Sequence, residues 1–220
     1  MTGFSHASTT ARHGGVTVEW IVTGPVQENV VLVYDDEKRG FLIDPGDEAS
    51  KIRARLQALE FQPSAILLTH AHFDHVGAVE ALRGILEVPV LAHADGLELY
   101  RAAASSAARF GLSMTQPSDP DGELREGEAL AAGDVKLRVR SLPGHAPGHV
   151  VFVGDGFVVA GDTLFRGSIG RTDLPGGDHA LLLKGIERQL FSLPDETRVY
   201  PGHGPSTTVG VEKRSNPYLQ

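Results

Sequence analysis

The chain contains no cysteine. Disulfides, thiolate zinc sites and a cysteine nucleophile are therefore excluded. An excess of positive charge is missing too. The formal net charge is −8, so no broad basic face for nucleic acid is expected, although a local basic pocket for an anionic substrate is compatible with it. No run approaches the roughly eighteen apolar residues of a spanning helix, so no membrane association is expected. The opening MTGFSHASTTARHGG lacks an apolar segment and does not read as a secretory signal, which makes a cytoplasmic location the expectation. There is no internal repeat and no low-complexity segment.

What is there is ordinary globular chain, 41% apolar and 22% charged over 220 residues, enough for one core. Residues 1–15 are small and polar and end in two glycines. They are expected to form a flexible tail before a single domain over residues 16–220. VTVEWIVTG, VVLVYD and GFLIDPG are β-rich runs parted by turn signals, as in an antiparallel meander. Ala49 to Glu60 places Ile52, Leu56 and Leu59 on one helical face. Further strands are expected over 64–68, 89–92, 135–141, 150–153, 157–160 and 198–200, and helices over 77–86, 96–110 and 179–190. The stretch GLSMTQPSDPDGELREGE is long for a loop and is expected to serve as a lid. Strands and helices, then strands and helices again, suit two packed sheets with helices outside, an α/β architecture.

Four polar clusters each follow an apolar strand: THAHFDH (69–75), LPGHAPGH (142–149), AGDTLF (160–165) and YPGHG (200–204). Strand ends fix the loops that carry such groups. Imidazole and carboxylate suit zinc and iron, and a carboxylate can bridge two ions. His70, His72, Asp74, His75, His145, Asp162 and His203 make seven donors. With one carboxylate shared, that count allows four protein ligands for each of two divalent ions. A lone His at a strand end is more often a hydrogen-bonded structural residue, and His93, His149 and His179 are read that way. Gly161-Asp162, Pro143-Gly144 and Pro201-Gly202 taken singly are turn pairs, raised to candidates only by the pattern as a whole.

In these four motifs, and in their order, the chain resembles the metallo-β-lactamase superfamily. Within it, GDTLFRGSIGRTDLPGGD (161–178) and the tail GVEKRSNPYL resemble the glyoxalase II-like hydrolases of the short bacterial kind. The resemblance implies an αββα sandwich of two mixed sheets flanked by helices, with the metals at one edge between the sheets. It implies His70, His72 and His145 on one ion, Asp74, His75 and His203 on the other, and Asp162 bridging. The ions would be zinc, with iron or manganese as alternatives. The implied activity is thioester hydrolysis, with S-lactoylglutathione as the reference substrate: hydroxide held on the metals attacks the acyl carbonyl and the thiolate leaves. Asp74 is expected to orient the attacking water as well as ligate.

Longer glyoxalase II enzymes add a helical extension that helps bind glutathione, whereas this chain ends at Gln220, soon after His203. Arg171, Lys213 and Arg214 are the expected substrate-binding residues, with Arg166 and Tyr218 as further candidates. Arg171 and Asp173 are also spaced to pair with each other. The chain resembles the related persulfide dioxygenases as well, which would hold one iron on His70, His145 and Asp162, and a lactonase shares all seven donors. Lactamase activity is disfavoured because those branches usually replace the bridging Asp by Cys or Ser. RNA-processing members need arms or inserted domains for which the chain has no room. A non-enzymatic metal module would not need Asp74, His75 and Asp162 together.

Overall fold

The computed structural model describes residues 9–220. The first sheet runs β1 (Thr9–His13), β2 (Val16–Thr23), β3 (Glu28–Tyr34), β4 (Arg39–Ile43), β5 (Gln62–Leu67), β6 (Val90–Ala92) and β7 (Gly122–Glu123), neighbours in that order. β1 to β4 pair antiparallel, the expected meander. From β4 to β7 the pairing is parallel, with α1 (Ala49–Leu59) as the crossover between β4 and β5. The second sheet contains β8 (Ala129–Ala132), β9 (Val135–Ser141), β10 (Val150–Gly154) and β11 (Phe157–Gly161). A small ribbon of β12 (Leu164–Phe165) and β13 (Ser168–Ile169) follows, and then β14 (Arg198–Pro201) and β15 (Thr207–Thr208) return to the sheet. Its order is β15-β14-β11-β10-β9-β8.

Alternation along the strands divides the apolar side chains into three layers. Val31 and Val33 of β3 point inward with Phe41, Ile43 and Leu67. They meet Val139, Phe152, Phe157 and Val159 of the second sheet. Val30, Leu32 and Tyr34, on the opposite face of β3, pack with Ile52 and Leu56 of α1, Val76 of α2 (Phe73–Val76) and Leu82 of α3 (Val79–Leu86). Val151, Val158 and Val199 pack outward onto Leu182 of α6 (His179–Gly185) and Val209 of α7 (Val209–Ser215). β3 is buried at every residue because it is covered on both faces. The result is the αββα sandwich. Among the described residues no helix is long and apolar enough to cross a membrane.

Three expectations need correction. The tail over 1–15 does not hold for Thr9–His13, which is a strand anchored by His13 Nε2 against the Tyr200 hydroxyl at 2.7 Å; residues 1–8 lie outside the described residues. The helix over 96–110 is broken at Ala102 into α4 (Leu97–Arg101) and α5 (Ala103–Arg109). The long loop is no free lid. The Arg83 guanidinium donates to the carbonyls of Ser118 and Asp119, Tyr100 OH donates to Ser118 O, and Glu80 accepts from the Ser118 amide at 2.8 Å. β7 also lies within it. Charged residues that look solvated in sequence here strap the segment to the body.

Candidate metal centre

All seven expected donors converge where the C-terminal ends of β5, β11 and β14 and the loop after β9 meet. His70 Nε2 and His145 Nε2 lie 3.0 and 2.9 Å from His72 Nδ1. On the other side, Asp74 Oδ2 is 3.2 Å from His203 Nε2 and 3.9 Å from His75 Nε2. Asp162 lies between the groups. Its Oδ2 is 3.6 Å from His145 and 3.5 Å from His203, and its Oδ1 is 3.5 Å from His75 Nε2. The close approach needs a glycine: a Cβ at Gly202 would stand 2.2 Å from Asp162 Oδ1.

The hydrogen-bond network assigns the imidazole tautomers. His145 Nδ1 donates to the carbonyl of Arg171 at 2.7 Å, and His75 Nδ1 to Asp44 Oδ2 at 3.0 Å. His203 Nδ1 faces the carbonyls of Val26 and Gln27. The Thr69 hydroxyl donates to Asp44 Oδ2 at 2.5 Å, which leaves its oxygen to accept from His70 Nδ1 at 3.0 Å. Each of these four rings therefore turns its Nε2 into the centre. Such outer partners commonly orient metal-binding imidazoles.

The donor set fits divalent cations. Three imidazole nitrogens meet in two contacts at hydrogen-bond distance, and with His70 and His145 protonated on Nδ1 only His72 Nδ1 could carry a proton for either. Among the described residues, His75 Nε2 and Asp162 Oδ1 are buried without a hydrogen-bond partner, although they face each other. Buried polar atoms left this way carry a substantial cost unless a ligand satisfies them.

Electrostatics agree. Burial pushes His70 and His145 below the ordinary imidazole range and His72 down to about 4, so all three are neutral donors. Burial opposes the charge on Asp162, yet His75, His203 and His145 hold its carboxyl below the usual carboxylate range. Burial likewise opposes charge on His75, but Asp162 and Asp74 raise it well above the ordinary value. His75 holds a proton where a cation would otherwise balance two carboxylates. The side chains of Asp74 and His203 are 15% and 28% exposed, against 0–3% for His75 and His145. The centre therefore opens to solvent on the Asp74–His203 side.

The basic residues behave differently. Arg171 forms a two-bond pair with Asp173, 2.7 Å each, and contributes its backbone carbonyl to His145. Lys213 and Arg214 both pair with Asp195 at 3.2 Å. All three charges are engaged in surface ion pairs. Arg166 has no ion-pair partner among the described residues. It lines, with Arg198 and Trp20, a cavity of about 480 Å³ that also borders Gln27 and Gly204, next to His203. Tyr218 is an exposed side chain of the C-terminal turn.

One residue escaped the sequence reading. Asp44 stands in the β-rich run GFLIDPG and was given no role there. It is buried, accepts from the Thr69 amide at 2.7 Å and from its hydroxyl, and holds His75. The signal was available: Asp44 follows an apolar strand just as the four clusters do. His149 is a hydrogen-bonded structural residue, as expected, and it supports the centre. It is fully buried, stacks on His70 with centroids 4.7 Å apart, and accepts the Asp162 amide on Nε2 at 3.1 Å. His93, by contrast, only caps a 3₁₀ turn, accepting from the Asp95 amide. Asp44→Ala is expected to weaken metal binding by about 10–100-fold, as loss of an outer-shell partner does. Competition against a chelating dye measures it, and an unchanged affinity would remove Asp44 from the centre.

The metallo-β-lactamase superfamily profile matches residues 23–203. The chain belongs to that superfamily. It is similar to the hydroxyacylglutathione hydrolase GloC of Haemophilus influenzae, at 39% identity over 93% of this chain and 98% of GloC. Among solved structures it resembles TTHA1623 in a di-iron-bound form, at 50% identity over 91% and 99% of the two chains and a TM-score of 0.85. It also resembles the BLEG-1 B3 metallo-β-lactamase, at 40% identity over 92% and 99% and a TM-score of 0.86. The superfamily thus supplies metallo-hydrolases as relatives, together with a neighbour that holds two irons.

Proposed function

We propose that the protein is a metal-dependent hydrolase of small-molecule thioesters, S-lactoylglutathione or a related acyl-thiol. The observation that carries the thioester reading is the likeness to GloC over nearly the whole of both chains. His70, His72 and His145 would hold one ion, Asp74, His75 and His203 a second, with Asp162 shared. Zinc suits this nitrogen-rich set, and the di-iron neighbour makes iron the alternative. Two divalent ions held there would lower the pKa of water and polarise a carbonyl.

The residues supply the remainder. Asp162, kept anionic by its imidazoles, contributes charge to both groups. Asp74, on the open side, accepts the proton of the attacking water and can pass it to the leaving sulfur. The new C–O bond replaces the C–S bond, and the products are a carboxylic acid and a thiol. Arg166 and Arg198 suit the carboxylates of the thiol carrier. Arg166→Ala is expected to raise KM for a glutathione thioester about three- to tenfold with kcat unchanged, a loss of uniform binding of ~0.7–1.4 kcal/mol. An unchanged KM would move the carrier elsewhere.

A second reading is favoured by the BLEG-1 likeness, namely hydrolysis of a β-lactam on the same centre. A panel of thioesters, a lactone, a β-lactam and a glutathione persulfide, run on protein of measured metal content, separates the readings. Thioester cleavage exceeding the others in kcat/KM is expected; a preference for the β-lactam or oxygen uptake with the persulfide would displace the proposal.

A further inference from the structure

Beside Asp74 lies a cavity of about 90 Å³. One wall is the turn between β2 and β3, with Pro25 and Val26. The second is Phe73, the residue before Asp74. The third is the segment after α5, with Leu112 and Met114. Because Asp74 itself lines the cavity, whatever enters lies against the candidate metal centre.

The walls mix apolar side chains with Thr23, Asp47, Asp74 and Ser113, and the apolar part remains partly in water. Val26 is 41% exposed, and Phe110 is 57% exposed while packing on Phe73 with ring centroids 5.3 Å apart. Large apolar side chains kept at a surface beside polar functional groups mark a place where ligand surface is buried. The third wall is also held in place. The Leu112 amide donates to Ala107 O, and the Gln116 side chain accepts from the Ala104 amide and donates to Tyr100 O. The size of the cavity is therefore a property of the fold.

Charge selects which end of a thioester fits. The only ionisable residues on the lining are Asp47 and Asp74, both acidic. Anionic ends of a thiol carrier are disfavoured there, while the arginines border the separate, larger cavity by His203. The volume matches about three water-sized groups at roughly 30 Å³ each.

We propose that this cavity receives the acyl chain of the substrate and limits it to about four carbons, counting a carbonyl carbon left at the metal centre. The inference rests on the thioester reading. Two measurements on metal-loaded protein test it. In the first, thioesters of one thiol carrying acetyl, butyryl, hexanoyl or octanoyl groups are compared. kcat/KM is expected to peak at or below butyryl and to fall at least tenfold by octanoyl. Met114→Ala is expected to shift the maximum to hexanoyl or beyond. The second uses the fact that the chain has two methionines, Met1 and Met114. With ¹³C-methyl methionine, a non-hydrolysable butyryl analogue with methylene in place of sulfur is expected to shift the Met114 resonance saturably, and the octanoyl analogue is not.

Octanoyl and butyryl thioesters cleaved equally well, with Met114→Ala unchanged, would overturn the cavity's role and leave the hydrolase standing. If no thioester is cleaved, the hydrolase reading fails by itself. The methyl resonance then decides the cavity: a saturable shift with the butyryl analogue supports it, and an unmoved resonance overturns it.

Discussion

Replacing Asp162 with alanine is expected to lower thioester hydrolysis by at least about 10³-fold and to cut the metal content of folded protein for both ions together. The reason is positional. Asp162 is the one carboxylate within 3.6 Å of an imidazole from each group, and it directly follows β11. Loss of even an outer-shell partner typically costs 10–100-fold in affinity, so loss of a shared inner donor should exceed that. Elemental analysis of the purified variant, with circular dichroism to confirm the fold, makes the measurement. Unchanged metal content in a folded variant would remove Asp162 from the centre.

Asp74→Asn should lower kcat by about 10²–10³-fold with metal saturating, beyond any effect on affinity. Asparagine keeps the shape and one acceptor oxygen but cannot take a proton. Asp74 is the carboxylate on the solvent-facing side, held below the ordinary carboxylate range by His75 and His203 against the opposing effect of burial. It is thus anionic and accessible where water and substrate must meet. Titrating metal into the variant until activity stops rising separates the two roles. Activity within about threefold of wild type, ~0.7 kcal/mol of barrier, would reduce Asp74 to a ligand.

The seven donors were legible because each cluster follows an apolar run and because imidazole and carboxylate in that density have few other uses. The meander and the crossover helix α1 were legible from alternation and from the Ile52–Leu56 face. Pairings that depend on three dimensions were not. Lys213 and Arg214 look free in GVEKRS, and only the fold brings Asp195 to them. Asp44 lies 25 residues before Thr69, so its hold on Thr69 and His75 has no local trace. His149 belongs to a motif rich in turn residues, and its stacking on His70 depends on the two sheets meeting. β1 was hidden because its mostly exposed, largely polar residues read as solvated chain. The straps on the long loop were missed for a related reason, since Arg83 and Glu80 act 35 or more residues away.

The central claim is that seven side chains assemble a two-ion centre that cleaves thioesters. The most direct test titrates zinc or iron(II) into metal-free protein and follows bound ions per chain, S-lactoylglutathione cleavage and oxygen uptake in the same samples. The account predicts thiol release that climbs to a plateau near two ions per chain, with no oxygen consumed. Full activity at one iron per chain, with oxygen consumed on a glutathione persulfide and the thioester untouched, would contradict it.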